Sequence, residues 1–186
     1  MTSPWHLRRA AALLRQGGIV AYPTEAVFGL GCDPWNEIAL DRLIGLKGRS
    51  EAKGLILVAA DPAQLEPFVL PLEKAVRERL AATWPGPVTW IVHSRPGLPA
   101  ALTGGRATVA VRVTRHPVAA ALCREFGGAL VSTSANRAGR SPARSPFQVR
   151  RVFGPRLDYI LHGALGGRRR PSEIREASSG RILRPG

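Results

Sequence analysis

A chain of 186 residues is the length of one domain, long enough to bury roughly two thirds of its unfolded surface in a single core. Hydrophobic residues at 45% and charged residues at 22% exclude a disordered or fibrous chain, and no window approaches the ~20 apolar residues of a membrane span. The unusual quantity is a formal net charge of +14, which favours a polyanionic partner or substrate: RNA, DNA or a phosphate-rich ligand.

The N-terminal stretch SPWHLRRAAALLRQGG has no acid, and Arg8 with Arg9 raises the question of a transit or twin-arginine signal. Its apolar run, Ala10 to Leu14, is too short for a signal core and is followed by Arg15. It reads instead as a helix, with Ser3 as N-cap, Pro4 in the first position, and Gly17 and Gly18 as the stop. Ile19 to Tyr22 is a short β-rich run halted by Pro23. Thr24 and Glu25 then place a hydroxyl and a carboxylate where the strand gives out, a position at which open α/β sheets bind ligands. Gly29 and Gly31 allow either close backbone approach or a sharp turn, and the plainer reading is a strand followed by a glycine turn. No Walker loop is present, and the GLG at Gly29 lacks the third glycine of a dinucleotide fingerprint.

Asn36 can cap a helix running to Lys47, with Leu40, Leu43 and Ile44 on one face. Lys47 falls at the end of that inward stripe, where an ammonium needs an anion once water is excluded; a ligand phosphate would supply it. Lys47, Arg49 and Lys53 follow one another among Gly48 and Gly54 before a strand from Leu55 to Ala59. Asp61 and Pro62 start another helix, and Leu72, Val76 and Leu80 mark a further one. Trp84 to Pro87 is a forced turn ahead of a strand from Val88 to Val92.

Gly104 and Gly105 precede a strand from Thr108 to Thr114, with Val109, Val111 and Val113 on one face and Ala110, Arg112 and Thr114 on the other. An arginine inside an apolar strand lies at a wet edge or reaches a carboxylate or phosphate. Pro117 opens a helix closed by Gly127 and Gly128, and the strand Ala129 to Val131 runs into Ser132-Thr-Ser-Ala-Asn136. Those hydroxyls are either ordinary turn residues or a patch of neutral donors at a strand end. Ser145 and Pro146 begin a last helix, and Tyr159 to Leu161 is a strand.

From Arg137 onward twelve arginines face three acids, with Arg168, Arg169 and Arg170 the densest run; it is a solvated loop or a polyanion-facing surface. Cys32 and Cys123 stand far apart, without CxxC or a histidine at ligand spacing, which argues against a zinc site or disulfide framework and fits a reduced, cytoplasmic setting. His6, His93, His116 and His162 lie outside the polar strand ends and read as surface or packing residues. Strands alternating with helices predict an α/β fold: one domain, 1–186, built on a twisted, mixed, partly parallel sheet flanked by helices, with a basic concave surface.

YPTEAVFGLG, Lys47-Gly-Arg49 with Lys53-Gly-Leu-Ile, Trp84-Pro-Gly-Pro-Val-Thr, Val109-Ala-Val-Arg112, Ser132-Thr-Ser-Ala-Asn136 and Pro171-Ser-Glu-Ile together resemble the YrdC-like family in its short bacterial form, from about Gly17 to Gly186. The resemblance implies a nucleotidyltransferase that joins L-threonine, bicarbonate and ATP into L-threonylcarbamoyladenylate, releasing diphosphate and water. That is the first step of t6A formation at adenosine 37 of tRNAs reading codons that begin with A. By the same resemblance, Thr24, Arg112, Ser132 and Ser172 would hold threonine, with Arg112 pairing its carboxylate. Lys47 and Arg49, as a KxR element, would be catalytic and, with the SxN residues Ser134 and Asn136, would address ATP phosphates; Thr108 and Arg184 would complete the nucleotide site.

Many relatives carry tyrosine where Phe28 stands, so that hydroxyl is missing here. Longer relatives add a C-terminal domain, which this reading does not expect. Mg2+ would arrive with ATP, with no protein-bound metal or organic cofactor. The implied partners are a threonylcarbamoyl-transferase complex downstream and tRNA or double-stranded RNA on the basic surface, with no membrane. Lys47→Ala is expected to cost at least ~10²-fold in rate and to leave folding intact, the ligand being its partner. The competing readings are a non-catalytic RNA-binding or ribosome maturation factor using the same basic surface, and a paralogue that uses another carbamoyl donor or acyl-adenylate, against which the intact KxR and SxN elements argue.

Overall fold

The computed structural model describes residues 2–186. Helix α1 (Pro4–Arg15) begins as its cap chemistry requires, the Ser3 hydroxyl accepting from the His6 N–H and Pro4 occupying the first turn. Strands β1 (Val20–Pro23) and β2 (Phe28–Gly31) follow, then α2 (Glu37–Lys47), capped by Asn36 accepting from the Ala39 N–H at 2.9 Å. Next come β3 (Ile56–Ala59), α3 (Lys74–Ala81), β4 (Val88–His93) and the single turn α4 (Ala100–Thr103). The second half contains β5 (Thr108–Val113), α5 (Pro117–Phe126), β6 (Leu130–Ser134), α6 (Pro146–Phe153), β7 (Tyr159–Ile160), β8 (Glu173–Glu176) and β9 (Ile182–Arg184). The stretch opened by Asp61 and Pro62 is a short 3-10 turn, Pro62–Leu65, and not a full helix.

The nine strands form one mixed sheet in the order β7-β1-β2-β6-β3-β5-β4-β8-β9. β1–β7, β3–β5 and β4–β8 are parallel, and the remaining neighbours are antiparallel. Two readings from the sequence change here. The Phe28-Gly-Leu-Gly31 stretch is a strand and not a glycine turn, because its two glycines accept the ring of Tyr22: a Cβ on Gly31 would lie 2.8 Å from Tyr22 Cε1 and 2.5 Å from the Val131 carbonyl oxygen. Ser132 to Ser134 belong to β6 itself, paired with β2 and β3, so their hydroxyls stand on the sheet and not in a turn beyond it.

Side chains alternate across a strand, and the register therefore decides which residues share a face. Ala21, Leu30, Leu57, Val111 and Val131 pack on one side with Leu40 and Leu43 of α2. Val20, Tyr22, Val58 and Leu130 lie on the other, where Ala10, Ala11 and Leu14 of α1 meet Ala119, Leu122 and Cys123 of α5. That helical pair covers only part of its face. Ile56, Ala110, Ile91 and Thr108, which share the face by register, remain half-buried, and this uncovered floor holds the polar strand residues.

Candidate active site

Seven of the residues singled out from the sequence, Thr24, Arg49, Arg112, Ser132, Ser134, Ser172 and Arg184, line one cleft of about 130 Å³. The Thr24 hydroxyl donates to the Val27 carbonyl at 2.7 Å, closing the β1–β2 turn and folding Glu25 inward. Glu25 accepts from the Thr114 hydroxyl at 2.6 Å, and its other oxygen lies 3.3 Å from Nη1 of Arg112. Because β5 is interior to the sheet, Arg112 is not an edge residue; its partner is this carboxylate. Burial pushes the Glu25 pKa up, but the Arg112 charge and the Thr114 hydroxyl outweigh it and hold the carboxyl below its ordinary value.

The cations around the cleft are anchored yet incompletely satisfied. Arg49 donates to the Gly54 carbonyl at 2.8 Å and Arg184 to the Ser172 carbonyl at 2.6 Å, while Ser172 accepts from the Thr89 hydroxyl at 3.2 Å. Nε of Arg49, Nε of Arg112 and Oε2 of Glu25 are buried without a hydrogen-bond partner. Oε2 of Glu25 still faces Arg112 as an ion pair, but buried polar atoms are normally paired, so the two guanidinium nitrogens beside the cleft point to groups that a ligand completes. Burial, then the neighbouring Arg184, lowers the pKa of Arg49; burial, then Arg112, lowers that of Arg184. Gly29 keeps the floor low, since a Cβ there would sit 3.3 Å from Thr24 Cγ2 and 3.5 Å from the Ser132 hydroxyl.

The other three predicted residues stand outside the lining. Lys47 is buried behind Ser134, its ammonium donating to the Ser134 carbonyl and, at 2.9 Å, to the Asn136 carbonyl, while the Ala138 N–H returns a bond to the Lys47 carbonyl at 2.8 Å. The expectation that only a ligand partners this lysine is thereby corrected: it stitches the end of α2 to the loop after β6. Burial, then the charge of Arg49, lowers its pKa to about 8. Asn136 spends its amide on the Arg137 and Arg140 carbonyls and accepts from the Ser134 hydroxyl at 2.6 Å, which shapes the loop. Thr108 shares the face of Arg112 but lies four residues earlier on β5.

Sequence reasoning left the partners of Glu25 open and did not place Arg168 or Arg170 in the cleft, where both are found. Their signal was the arginine run itself, whose direction depends on the path of the preceding loop. Of the histidines, His116 packs inside, its Nδ1 accepting from the Ala119 N–H and its Nε2 bonded to the Ala164 carbonyl at 3.0 Å.

A family model described as Sua5_yciO_yrdC, telomere recombination, matches residues 12–186. The chain is 58% identical over 180 residues to a protein of Nitrosococcus oceani named threonylcarbamoyl-AMP synthase, covering 97% of each chain. It is 57% identical over 183 residues to one of the same name in Halorhodospira halophila, covering 98% of this chain and 96% of that one. Among solved structures, P. abyssi Sua5 complexed with L-threonine superposes with a TM-score of 0.93 at 31% identity, covering 99% of this chain and 55% of that longer one. The chain belongs to the Sua5/YciO/YrdC family.

Proposed function

We propose that this protein is a nucleotidyltransferase that makes L-threonylcarbamoyladenylate and diphosphate from L-threonine, bicarbonate and ATP. The observation that carries the reading is the cleft's imbalance, in which guanidinium groups with buried, unpartnered nitrogens surround a single carboxylate. The names and near full-length identity of the relatives support the same chemistry. The threonine amine and bicarbonate condense to a carbamate and water; a carbamate oxygen then bonds to the α-phosphorus as the bond to the diphosphate oxygen breaks. The protein supplies positioning and cationic neutralisation, not a covalent nucleophile.

In this scheme Arg112, steadied by Glu25, pairs the threonine carboxylate, and Thr24, Ser132 and Ser172 surround the amino acid. Arg49, Ser134 and Arg184 face the phosphates, with Thr108 further along the same face. Lys47 and Asn136 act from behind, holding the Ser134 end of β6 in place. Mg2+ enters with ATP as part of the substrate. We also read residues 1–186 as one domain, working in the cytoplasm, handing its product to a threonylcarbamoyl-transferase complex for t6A formation and touching tRNA or double-stranded RNA through its basic surface. Among the described residues no helix is long and apolar enough to cross a membrane.

The test is diphosphate release from Mg-ATP in bicarbonate buffer with and without L-threonine, serine and alanine serving as controls. Threonine-dependent release is expected. Folded protein that releases none with any amino acid would remove the reading and leave a non-catalytic RNA-binding role.

A further inference from the structure

The segment 163–171 leaves β7, crosses the Thr24–Glu25 turn and enters β8, forming a strap along one wall of the cleft. Two backbone bonds fasten it, from the Gly166 N–H to the Thr24 carbonyl at 3.1 Å and from the Arg168 N–H to the Glu25 carbonyl at 3.0 Å. The contact is close enough to demand glycine, for a Cβ on Gly166 would lie 2.9 Å from Glu25 Cα. Gly167, with φ +80°, then turns the chain, and Arg168 and Arg170 line the cleft while Arg169 between them does not.

We propose that Arg168 and Arg170 are polyphosphate-binding residues, carried to the substrate by this strap, and not part of a surface for nucleic acid. The inference rests on the function proposed above and extends it to two residues and to the ligand group they meet. With them the cleft holds five arginines, Arg49, Arg112, Arg168, Arg170 and Arg184, against the one carboxylate of Glu25. Arg112 is buried and Arg49 half-buried, while Arg168, Arg170 and Arg184 are exposed at the cleft's rim, and so many like charges gathered round one opening favour an anion there. The carboxylate of one amino acid balances only one of them, whereas a nucleoside triphosphate brings a chain of anionic oxygens suited to the planar, forked donors of arginine. The strap's bonds to Thr24 and Glu25 hold its backbone against the amino-acid end of the cleft, so that Arg168 and Arg170 extend from a fastened main chain beside the place where the α-phosphorus must be attacked.

The experiment uses the full chain and four variants: Arg168→Ala, Arg170→Ala, the double variant, and Arg169→Ala as a control of equal charge loss. ATP binding is measured by calorimetry without threonine, KM values for ATP and threonine by diphosphate release, and double-stranded RNA affinity by titration. Each cleft variant should weaken ATP about tenfold in Kd and KM, and the double variant about a hundredfold, since a charge-assisted contact is lost each time. The threonine KM should stay within about twofold, and Arg169→Ala should match the wild type for ATP. Unchanged ATP affinity in the folded double variant would overturn the proposal, as would an equal loss in Arg169→Ala or a loss confined to RNA or threonine. If the wild type binds ATP but turns nothing over, the calorimetric comparison still decides the role of these arginines while the activity assay rejects the function.

Discussion

Glu25 and Lys47 both bring charge out of water, and each is held by a partner that no local sequence pattern reveals. The Thr114 hydroxyl that Glu25 accepts from lies 89 positions away, and the carbonyls that satisfy Lys47 belong to the last residue of β6 and the loop beyond it. Glu25→Gln keeps the shape but leaves Arg112 as an uncompensated buried charge, so the threonine KM should rise about tenfold and stability should fall. The sign of the pH effect follows from a folded-state pKa below the ordinary 4.5: the contribution is complete above that pH and is lost as the carboxylate protonates below it. The gap in Tm between wild type and Glu25→Gln should therefore shrink as pH falls below about 4.5, and a gap constant down to pH ~3 would contradict the ion pair. Lys47→Ala should cost at least ~10²-fold in rate and also about 2 kcal/mol in stability, because two carbonyls lose their donor. Chemical denaturation measures the second effect, and an unchanged midpoint would return Lys47 to a purely ligand-facing role.

At the scale of elements, the cap residues Ser3 and Asn36 made α1 and α2 legible in the sequence, and Val109, Val111 and Val113 made β5 legible by alternation. Arg112 stood out as a charge inside an apolar strand, and Thr24 and Ser132 as hydroxyls where apolar runs give out. Three parts of the fold were not legible. Glycines at Gly29 and Gly31 look like turn signals until the ring of Tyr22 occupies the space they leave, and β8 and β9 are short strands at one end of the sheet without apolar alternation. Gly31→Ala tests the first point: its Cβ meets backbone that cannot yield, so β2 should part from β6 at a cost of about 3 kcal/mol. An equilibrium unfolding experiment giving a loss under ~0.5 kcal/mol would contradict the close packing. The strap is a third case, since its height depends on Gly166 and not on any charge. Gly166→Ala should weaken ATP binding while keeping every arginine, a result that calorimetry reads directly.

For the whole molecule, the +14 net charge is not one uniform surface. Of the 27 lysines and arginines, some are gathered in the cleft and some are cancelled by local carboxylates, as where Arg175 pairs with Glu173 and Arg42 with Asp158 at 3.1 Å. The RNA contact proposed for the remaining exposed cations would be a screened attraction, so raising salt from about 50 to about 200 mM should weaken RNA binding at least tenfold. Catalysis should lose less than about threefold over the same range, because Arg112 is buried and Arg49 half-buried, and such charges are screened much less than exposed ones. Parallel salt titrations of RNA affinity and diphosphate release check the separation, and equal losses would place the active cations on the open surface. The central claim is the identity of the product, and the most direct measurement is mass spectrometry of a reaction containing isotopically labelled bicarbonate, L-threonine and Mg-ATP. An adenylate carrying the label in its carbamoyl group, formed in equal amount with diphosphate and absent without threonine, is the predicted result. Diphosphate released without a labelled threonyl adduct would contradict the account.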